Sequence, residues 1–418
     1  LISNSPLIKR IKRHIIGPLH NFFIVTLPGF ENLCKKELET LQLDISEINT
    51  MEGGVEFTGK LFDCYMSNMH LRTANRVLMR IAEFNVTNFR KLEKRLEGIP
   101  WELHLKEETI PGVIVTTKRS RLYHSDAISD CVSKSIDERK KTSPFFSDSD
   151  NNIQPRKSQN IQNIFIRMMN DHITISLDSS GDLLYKRGIK HHAGSAPIRE
   201  TLAAAALLKS GYTGAEPLFD PMCGTGTFSI EAAMITRHIP PGWYRQFAFE
   251  SWPGFKPAQW AYLKKQTEKE IKKNPDSPGI VACDKNPKSC KSLSNILKKY
   301  NLESTIKVLN DDFFRFTPEE IHKITGHEGP GLVIVNPPYG IRLETKKDSK
   351  KLFIKITDRL ADIFTGWKFA LFSPEKDLIE KCRLKGEQII IDHGGIKLTL
   401  FTGTIPGGNK NAYQDGTG

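Results

Sequence analysis

From about residue 190 onward, short apolar runs alternate with helical patterns, and this alternation is the strongest constraint on the fold. RETLAAAALLKSG reads as a buried helix ended by glycine, EPLFD as a strand, TFSIEAAMIT as a helix and GIVACD as a strand. CKSLSNILKKY continues as a helix, TIKVLNDD as a strand edge, GLVIV as a strand, LFIKITDRLADIF as a helix and KFALFS as a strand. Short apolar runs bounded by turn residues and separated by helices are read as fully buried strands. Such repetition predicts an α/β architecture with a mostly parallel, doubly wound sheet and helices on both faces. Ligands of such sheets bind beyond the carboxyl ends of the strands, so chemistry is sought there.

The first half of the chain is patterned differently. HNFFIVTLPGFENLCKKELETL gives a strand over Phe22–Leu27, a Pro28-Gly29 turn and an amphipathic helix. A strand around VEFTG follows, and LFDCYMSNMHLRTANRVLMRI is read as one helix. FRKLEKRLEGIPWELHL is expected to be a helix with a basic polar face. PGVIVTTKRSRLYHSDAISDCVSKSIDERKK reads as a strand, a basic turn and a helix. IFIRMM and HITISLDSSG form a hairpin around Asn170-Asp171, and the polar 142–163 stretch is an exposed loop. The order is that of a small α+β layer.

Composition narrows the function classes. The chain has a formal net charge of +12, which points towards a polyanionic partner. Its seven cysteines are scattered without a Cys-x-x-Cys, and its twelve histidines have no zinc-ligand spacing. Reduced thiols and no metal are therefore expected. No apolar run reaches the ~20 residues of a membrane span, and the basic start LISNSPLIKRIKRHII lacks a signal-peptide pattern. A cytoplasmic location without membrane contact is the expectation, as monomer or homodimer.

The strand ends carry acids in order. Asp220 closes the first strand and is followed by Pro221, Cys223, Gly224, Thr225 and Gly226, with a helix from Thr227. Glycines admit a ligand close to the backbone, and free helix-start amides favour an anionic group. The third glycine of a dinucleotide fingerprint is missing, which disfavours a nicotinamide or flavin enzyme. Asp284, followed by Lys285, ends the second strand and suits the two ribose hydroxyls of an adenosine cofactor. Asp312 is preferred over Asp311 for the adenine amino group. Each acid alone is equally well explained as a helix cap or surface turn.

The fourth strand ends in Asn336-Pro337-Pro338-Tyr339. Proline offers no N–H and forces the preceding residue into extended geometry, so Asn336 leaves the strand stretched and rigid. Glycine loop, acid, acid and this tetrapeptide follow the order of a class I S-adenosyl-L-methionine methyltransferase acting on an amino nitrogen. The tetrapeptide resembles the signature of enzymes that methylate base exocyclic amines or a glutamine amide.

LDSSGDLLYKRGIK, APIRETLAAAALL, DPMCGTGTFSIEAA, FAFESWPGFKPAQW and VNPPYGIRL occur in that order. Together they resemble the THUMP-domain-containing RNA guanine 2-amino methyltransferases, including the bacterial 23S rRNA 2-methylguanosine group and tRNA relatives. FFIVTLPGFENLCKKEL is similar to the family's ferredoxin-like segment and SRLYHSDAISDCVSKSI to its THUMP segment. The resemblance implies a class I (Rossmann-like) methyltransferase domain with N-terminal α+β ferredoxin-like and THUMP domains. The boundaries it suggests are 1–19 for a basic extension, 20–80 ferredoxin-like, 81–188 THUMP, 189–405 methyltransferase and 406–418 tail.

By the same resemblance the cofactor is S-adenosyl-L-methionine, held by Asp220, Pro221, Cys223, Gly224, Thr225, Gly226, Thr227, Asp284, Lys285, Asp312 and Asn336. Arg199 and Glu200 match a segment beside it, or form a plain helix-start ion pair. Asn336, Pro337, Pro338 and Tyr339 are the catalytic tetrapeptide. The product implied is 2-methylguanosine, in 23S rRNA first and tRNA second; a DNA adenine methyltransferase, a glutamine methyltransferase and a non-catalytic RNA-binding protein are the other classes weighed. Lys118, Arg119 and Arg121, with Arg90, Lys91, Lys94 and Arg95, are candidates for RNA phosphates. Trp252 and Trp260 are expected to pack the segment after the glycine loop onto the parallel sheet.

Overall fold

The computed structural model describes residues 5–146, 161–189, 198–275, 277–338, 346–373 and 375–407. The chain divides into two compact units: Leu1–Thr26, Cys34–Leu184 and Gly242–Thr267 in one, Leu27–Leu33, Tyr185–Pro241 and Glu268–Gly418 in the other.

The first unit runs α1 (Pro6–Ile11), β1 (His20–Thr26), α2 (Glu31–Thr40), β2 (Ser46–Met51), β3 (Gly54–Gly59), α3 (Leu61–His70) and β4 (Ala74–Asn85). It continues with α4 (Phe89–Glu97), β5 (Ile110–Lys118), α5 (Ser125–Thr142), β6 (Ile161–Met169) and β7 (His172–Asp178). Among the described residues these strands form one sheet in the order β2-β3-β1-β4-β7-β6-β5. Only the β5–β6 pairing is parallel. The expected boundary at residue 80 therefore falls inside β4, a strand shared by both halves of the sheet.

LRTANRVLMRI is not the continuation of a helix. The Arg72 and Thr73 amides donate to the Glu37 carboxylate at 2.9 and 3.0 Å, so the donors that would extend α3 are taken. The chain turns and re-enters as β4 between β1 and β7, with Val77 and Met79 buried. Pairing on both sides outweighs the local helical pattern. The Asn170-Asp171 hairpin forms as expected, with φ of 51° and 62° matching a type I′ turn.

Two further segments join this core. The basic extension is helical, with Ile11 and Ile15 buried and Arg10 bound to Glu102 at 2.7 Å. Trp252 and Trp260 do not serve the parallel sheet: both lie in the first unit's apolar core. Tyr65 stacks on Phe249 with centroids 4.4 Å apart, and the Trp252 indole donates to Gln162 at 2.7 Å. Burying such rings contributes about 1.5–3 kcal/mol each, enough to draw the segment to whichever surface offers apolar partners.

The second unit contains α6 (Glu200–Lys209), β8 (Leu218–Asp220), α7 (Thr227–Thr236), β9 (Ile280–Cys283), α9 (Pro287–Lys299), β10 (Ile306–Leu309) and α10 (Pro318–Thr325). α8 (Pro257–Glu270) leads back into it. β11 (Leu332–Val335), α11 (Lys346–Ile363), β12 (Lys368–Ser373), α12 (Lys376–Lys381), β13 (Glu387–His393) and β14 (Ile396–Thr404) complete it. The sheet order is β10-β9-β8-β11-β12-β14-β13, with β8 to β12 parallel and β14 antiparallel to both neighbours. One face packs Phe219, Val281, Val333 and Phe369 against Ile321 of α10 and Ile356 and Leu360 of α11. The strand order reverses between β8 and β11, and a doubly wound sheet opens its ligand crevice there. No helix among the described residues is long and apolar enough to cross a membrane.

Candidate functional site

At the switch point β8 delivers Asp220 and β11 delivers Asn336. Asp220 is fully buried, and its Oδ2 accepts from the Ser229 hydroxyl at 2.6 Å, tying the strand end to the first turns of α7. Pro221 is buried and Thr225 half-buried beside it. The Cys223 amide donates to the Cys283 carbonyl at 2.9 Å and fixes the loop to β9. Burial pushes the Cys223 thiol well above its usual range, with the Asp220 and Asp284 charges adding to it. It stays protonated, so it is no nucleophile.

The glycines have separate reasons. Gly226 caps α7 with φ 78°, and a Cβ there would stand 2.4 Å from the Leu293 side chain. Gly224 has φ 53° and open space where a Cβ would project. Its amide donates to Asp284 Oδ2 at 2.8 Å, while Asp284 Oδ1 accepts from the Asn286 amide at 2.8 Å. Thr227, mostly buried, opens α7. At Gly224 the loop thus shows bare backbone, bordered by a carboxylate that retains further lone pairs.

The next strand ends add charge. Lys285 meets Asp312 Oδ2 at 2.9 Å, and Asp312 Oδ1 accepts from the Phe314 amide at 3.2 Å. Asp312 is therefore both a cap and an ion-pair partner. Asp311 accepts from the Asp312 amide and from Arg315, which together hold its carboxyl below the usual range.

Asn336 follows β11, half-buried, with Pro337 buried and Pro338 half-buried. Its Oδ1 is enclosed and has no hydrogen-bond partner among the described residues. An orphaned buried amide oxygen costs about 1–3 kcal/mol, and such an atom is poised to accept from a ligand. Tyr339 lies outside the described residues.

Arg199 and Glu200 open α6, and Glu200 shares a cleft with Thr227, the first residue after the glycine loop. The Arg199 amide donates to His393 Nε2 at 3.2 Å, and its guanidinium lies 5.3 Å from the Tyr185 ring centroid. Burial holds His393 below its usual value, with the Arg199 charge adding, so Nε2 is free to accept. Glu200 lines a small cleft with Arg187, Ile189, Thr227, Ile230 and Glu231. Within it Arg187 Nε donates to Glu231 Oε1 at 2.9 Å, an ion pair with side chains only 3% and 0% exposed. Sequence reasoning passed over this pair. The signal was present: Glu231 is the one charge in TFSIEAAMIT, and a charge on a helix of this apolar character must find a partner.

In the first unit Arg90, Lys91, Lys94 and Arg95 are exposed on α4, whose Leu92 and Leu96 face the core. Lys118, Arg119 and Arg121 are exposed in the turn after β5. Among the described residues no group of three or more His, Cys, Asp and Glu side chains is placed to hold a metal ion.

Comparison with known proteins places this geometry. Residues 187–397, half of the chain, match the UPF0020 family model, described as an RMKL-like methyltransferase domain. Residues 21–78 match the model of the RlmL ferredoxin-like domain. The Ribosomal RNA large subunit methyltransferase K/L of Psychromonas ingrahamii is 32% identical over 401 residues, 91% of this chain and 49% of that protein. The chain spans about half the length of such curated relatives. A possible methylase from Clostridium difficile superposes with a TM-score of 0.80 at 27% identity, covering 94% of this chain and 100% of that one. SMU.472, a putative methyltransferase complexed with SAH, gives 0.79 at 27% identity, covering 94% and 99%. With the strand order, the glycine loop and the Asn336 turn all falling inside the matched region, the chain belongs to the UPF0020 family of RMKL-like methyltransferase domains.

Proposed function

We propose that the chain is an S-adenosyl-L-methionine-dependent RNA methyltransferase that forms 2-methylguanosine, in large-subunit rRNA. The observation that carries this reading is the enclosed Oδ1 of Asn336 at the switch point, without a hydrogen-bond partner among the described residues. The bare backbone at Gly224 and the lone pairs of Asp284 fit an adenosine-bearing cofactor: the loop amides at its amino-acid end, Asp284 at the ribose, Asp312 at the adenine. When bound, that cofactor supplies an electrophilic methyl group.

The residues of the chain do the rest by positioning. An exocyclic amine of guanine is a poor nucleophile because its lone pair is delocalised into the ring. Asn336 Oδ1 and the Pro337 carbonyl can accept its two hydrogens, which turns the lone pair out of the ring plane. The strand-stopping prolines hold both acceptors rigidly, so little reorganisation is required during reaction. Tyr339 is assigned to stack on the base once it is flipped out. The exposed cations on α4 and after β5 are assigned to RNA phosphates, the role of a THUMP domain.

The test is to incubate the protein with methyl-labelled cofactor and separate samples of rRNA, tRNA and DNA, then digest and identify the labelled nucleoside. Label in 2-methylguanosine from rRNA is expected. Label confined to tRNA would move the substrate; label only in 6-methyladenine would sink the guanine assignment.

A further inference from the structure

The turn Lys118–His124 holds two aromatic rings that neither the core nor the proposed chemistry uses. Tyr123 is 64% exposed, and its ring centroid lies 4.1 Å from that of exposed His124, with the planes tilted by 37°. The turn is stiff. The Asn170 amide donates to the Lys118 carbonyl at 3.2 Å, the Asp171 amide to Ser120 Oγ at 3.1 Å and the Arg121 amide to Asp171 Oδ1 at 2.7 Å. The Thr117 hydroxyl donates to the Tyr123 carbonyl at 3.3 Å.

The same hairpin tip anchors the second basic cluster. The Asp171 carbonyl accepts from the Val86 amide at 2.8 Å, just before α4 begins at Phe89. Both sets of cations therefore spring from one pinned corner of the first sheet. Asp171 offsets part of Arg121, at 3.5 Å, while Lys118 and Arg119 point their charge to solvent. A large ring left exposed beside such cations contributes little to the protein core and is free to receive the face of a base. Bases in a duplex hide their faces in the stack, so a projecting ring selects nucleotides that are unpaired.

We propose that the Lys118–His124 turn is a stacking platform for one unpaired nucleotide of the RNA, with Tyr123 against the base and Lys118, Arg119 and Arg121 on the flanking phosphates. The proposal rests on the RNA reading above and adds to it a residue and a strand state. The pinned turn loses little freedom on binding, which favours the contact.

The experiment uses the full chain and fluorescence anisotropy, with a labelled oligouridylate of about twelve nucleotides and a blunt-ended, fully paired RNA duplex. Tyr123→Ala should weaken oligouridylate binding by roughly ten- to a hundredfold while leaving duplex binding within about twofold. Tyr123→Phe should bind like the wild type. Equal loss on both RNAs, no loss at all, or a Phe variant as weak as Ala would each overturn the platform. A polyglutamate that competes as well as oligouridylate at equal charge would assign the surface to an acidic protein and overturn it too. Independently of any variant, a 4-thiouridine oligonucleotide should cross-link the wild type at Tyr123 or His124, and a map confined to other segments would overturn the proposal. Wild-type protein that binds neither RNA defeats the RNA reading itself; wild type that binds both, with Tyr123→Ala unchanged, defeats only the platform.

Discussion

The Gly224 amide and the Asp284 carboxylate meet at 2.8 Å, so the glycine turn after β8 and the acid after β9 form one structure. Removing the acid should act twice, on the ligand and on the loop that faces it. Asp284→Ala is expected to weaken S-adenosylhomocysteine binding by at least tenfold, since a hydrogen bond to a charged group contributes about 1.5–3 kcal/mol. Calorimetric titration measures this directly. An affinity within twofold of the wild type would show that the carboxylate only braces the turn.

Legibility followed how local each feature was. β8, β9, β11 and β12 were readable because each is a short, mostly apolar, buried run separated from the next by a helix, while the edge strand β10, with Lys307 exposed, reads less plainly. The Asn170-Asp171 turn was readable because those two residues tolerate positive φ. β4 was not, since its identity depends on Glu37 capturing two amides from another element and on partners at both edges. The placement of Trp252 and Trp260 depends on a distant surface to which their own sequence carries no pointer. In the site, the strand-end acids and Asn336 were legible from position, while Asp312's double duty with Lys285 and Phe314 appears only in three dimensions.

The Arg187–Glu231 pair is buried on both sides, so its members are unequal to the pair. Glu231→Gln removes the carboxylate that faces a buried guanidinium and should destabilise the second unit, by up to about 3–5 kcal/mol. The double change Arg187→Met with Glu231→Leu removes both charges and should recover most of that loss. Urea unfolding of the two variants decides it. A double variant no more stable than the single one would mean that the two charges serve the fold through more than their mutual attraction.

His104 offers a pH-dependence with a definite sign. Burial pushes its imidazole down to about 4, with the charge of His20 adding and Glu102 opposing, and its Nδ1 has no hydrogen-bond partner among the described residues. The unfolded chain takes up this proton near pH 6.5 and the folded chain does not until about pH 4. Stability is therefore lost as pH falls through that window, by up to about 1.4 kcal/mol per pH unit, and levels off below it. Hydrogen exchange at the β4 and β7 amides, compared between wild type and His104→Leu, should show a shallower slope in the variant, where His70 and His20, also held down by burial, still contribute. Parallel curves would mean that the imidazole is protonated in the fold.

Asn336 separates positioning from binding most sharply. Its enclosed Oδ1 follows β11, whereas the Gly224–Asp284 contact that is assigned to the cofactor is made by the turns after β8 and β9. Asn336→Ala removes one of two acceptors from the amine and should cut the rate of methyl transfer by about 10²–10³-fold, the usual effect of losing one preorganised polar group. Cofactor affinity should stay within a few fold, because the glycine loop and Asp284 are untouched. Stability should rise or stay level, since a buried oxygen without a partner among the described residues is gone. Asn336→Asp keeps the acceptor but adds a negative charge in a partly buried place, so its activity should exceed that of Ala. Single-turnover rates with saturating cofactor, beside titration of S-adenosylhomocysteine, separate the two effects. If Asn336→Ala lost cofactor binding as heavily as rate, the residue would belong to the cofactor's pocket rather than to the amine.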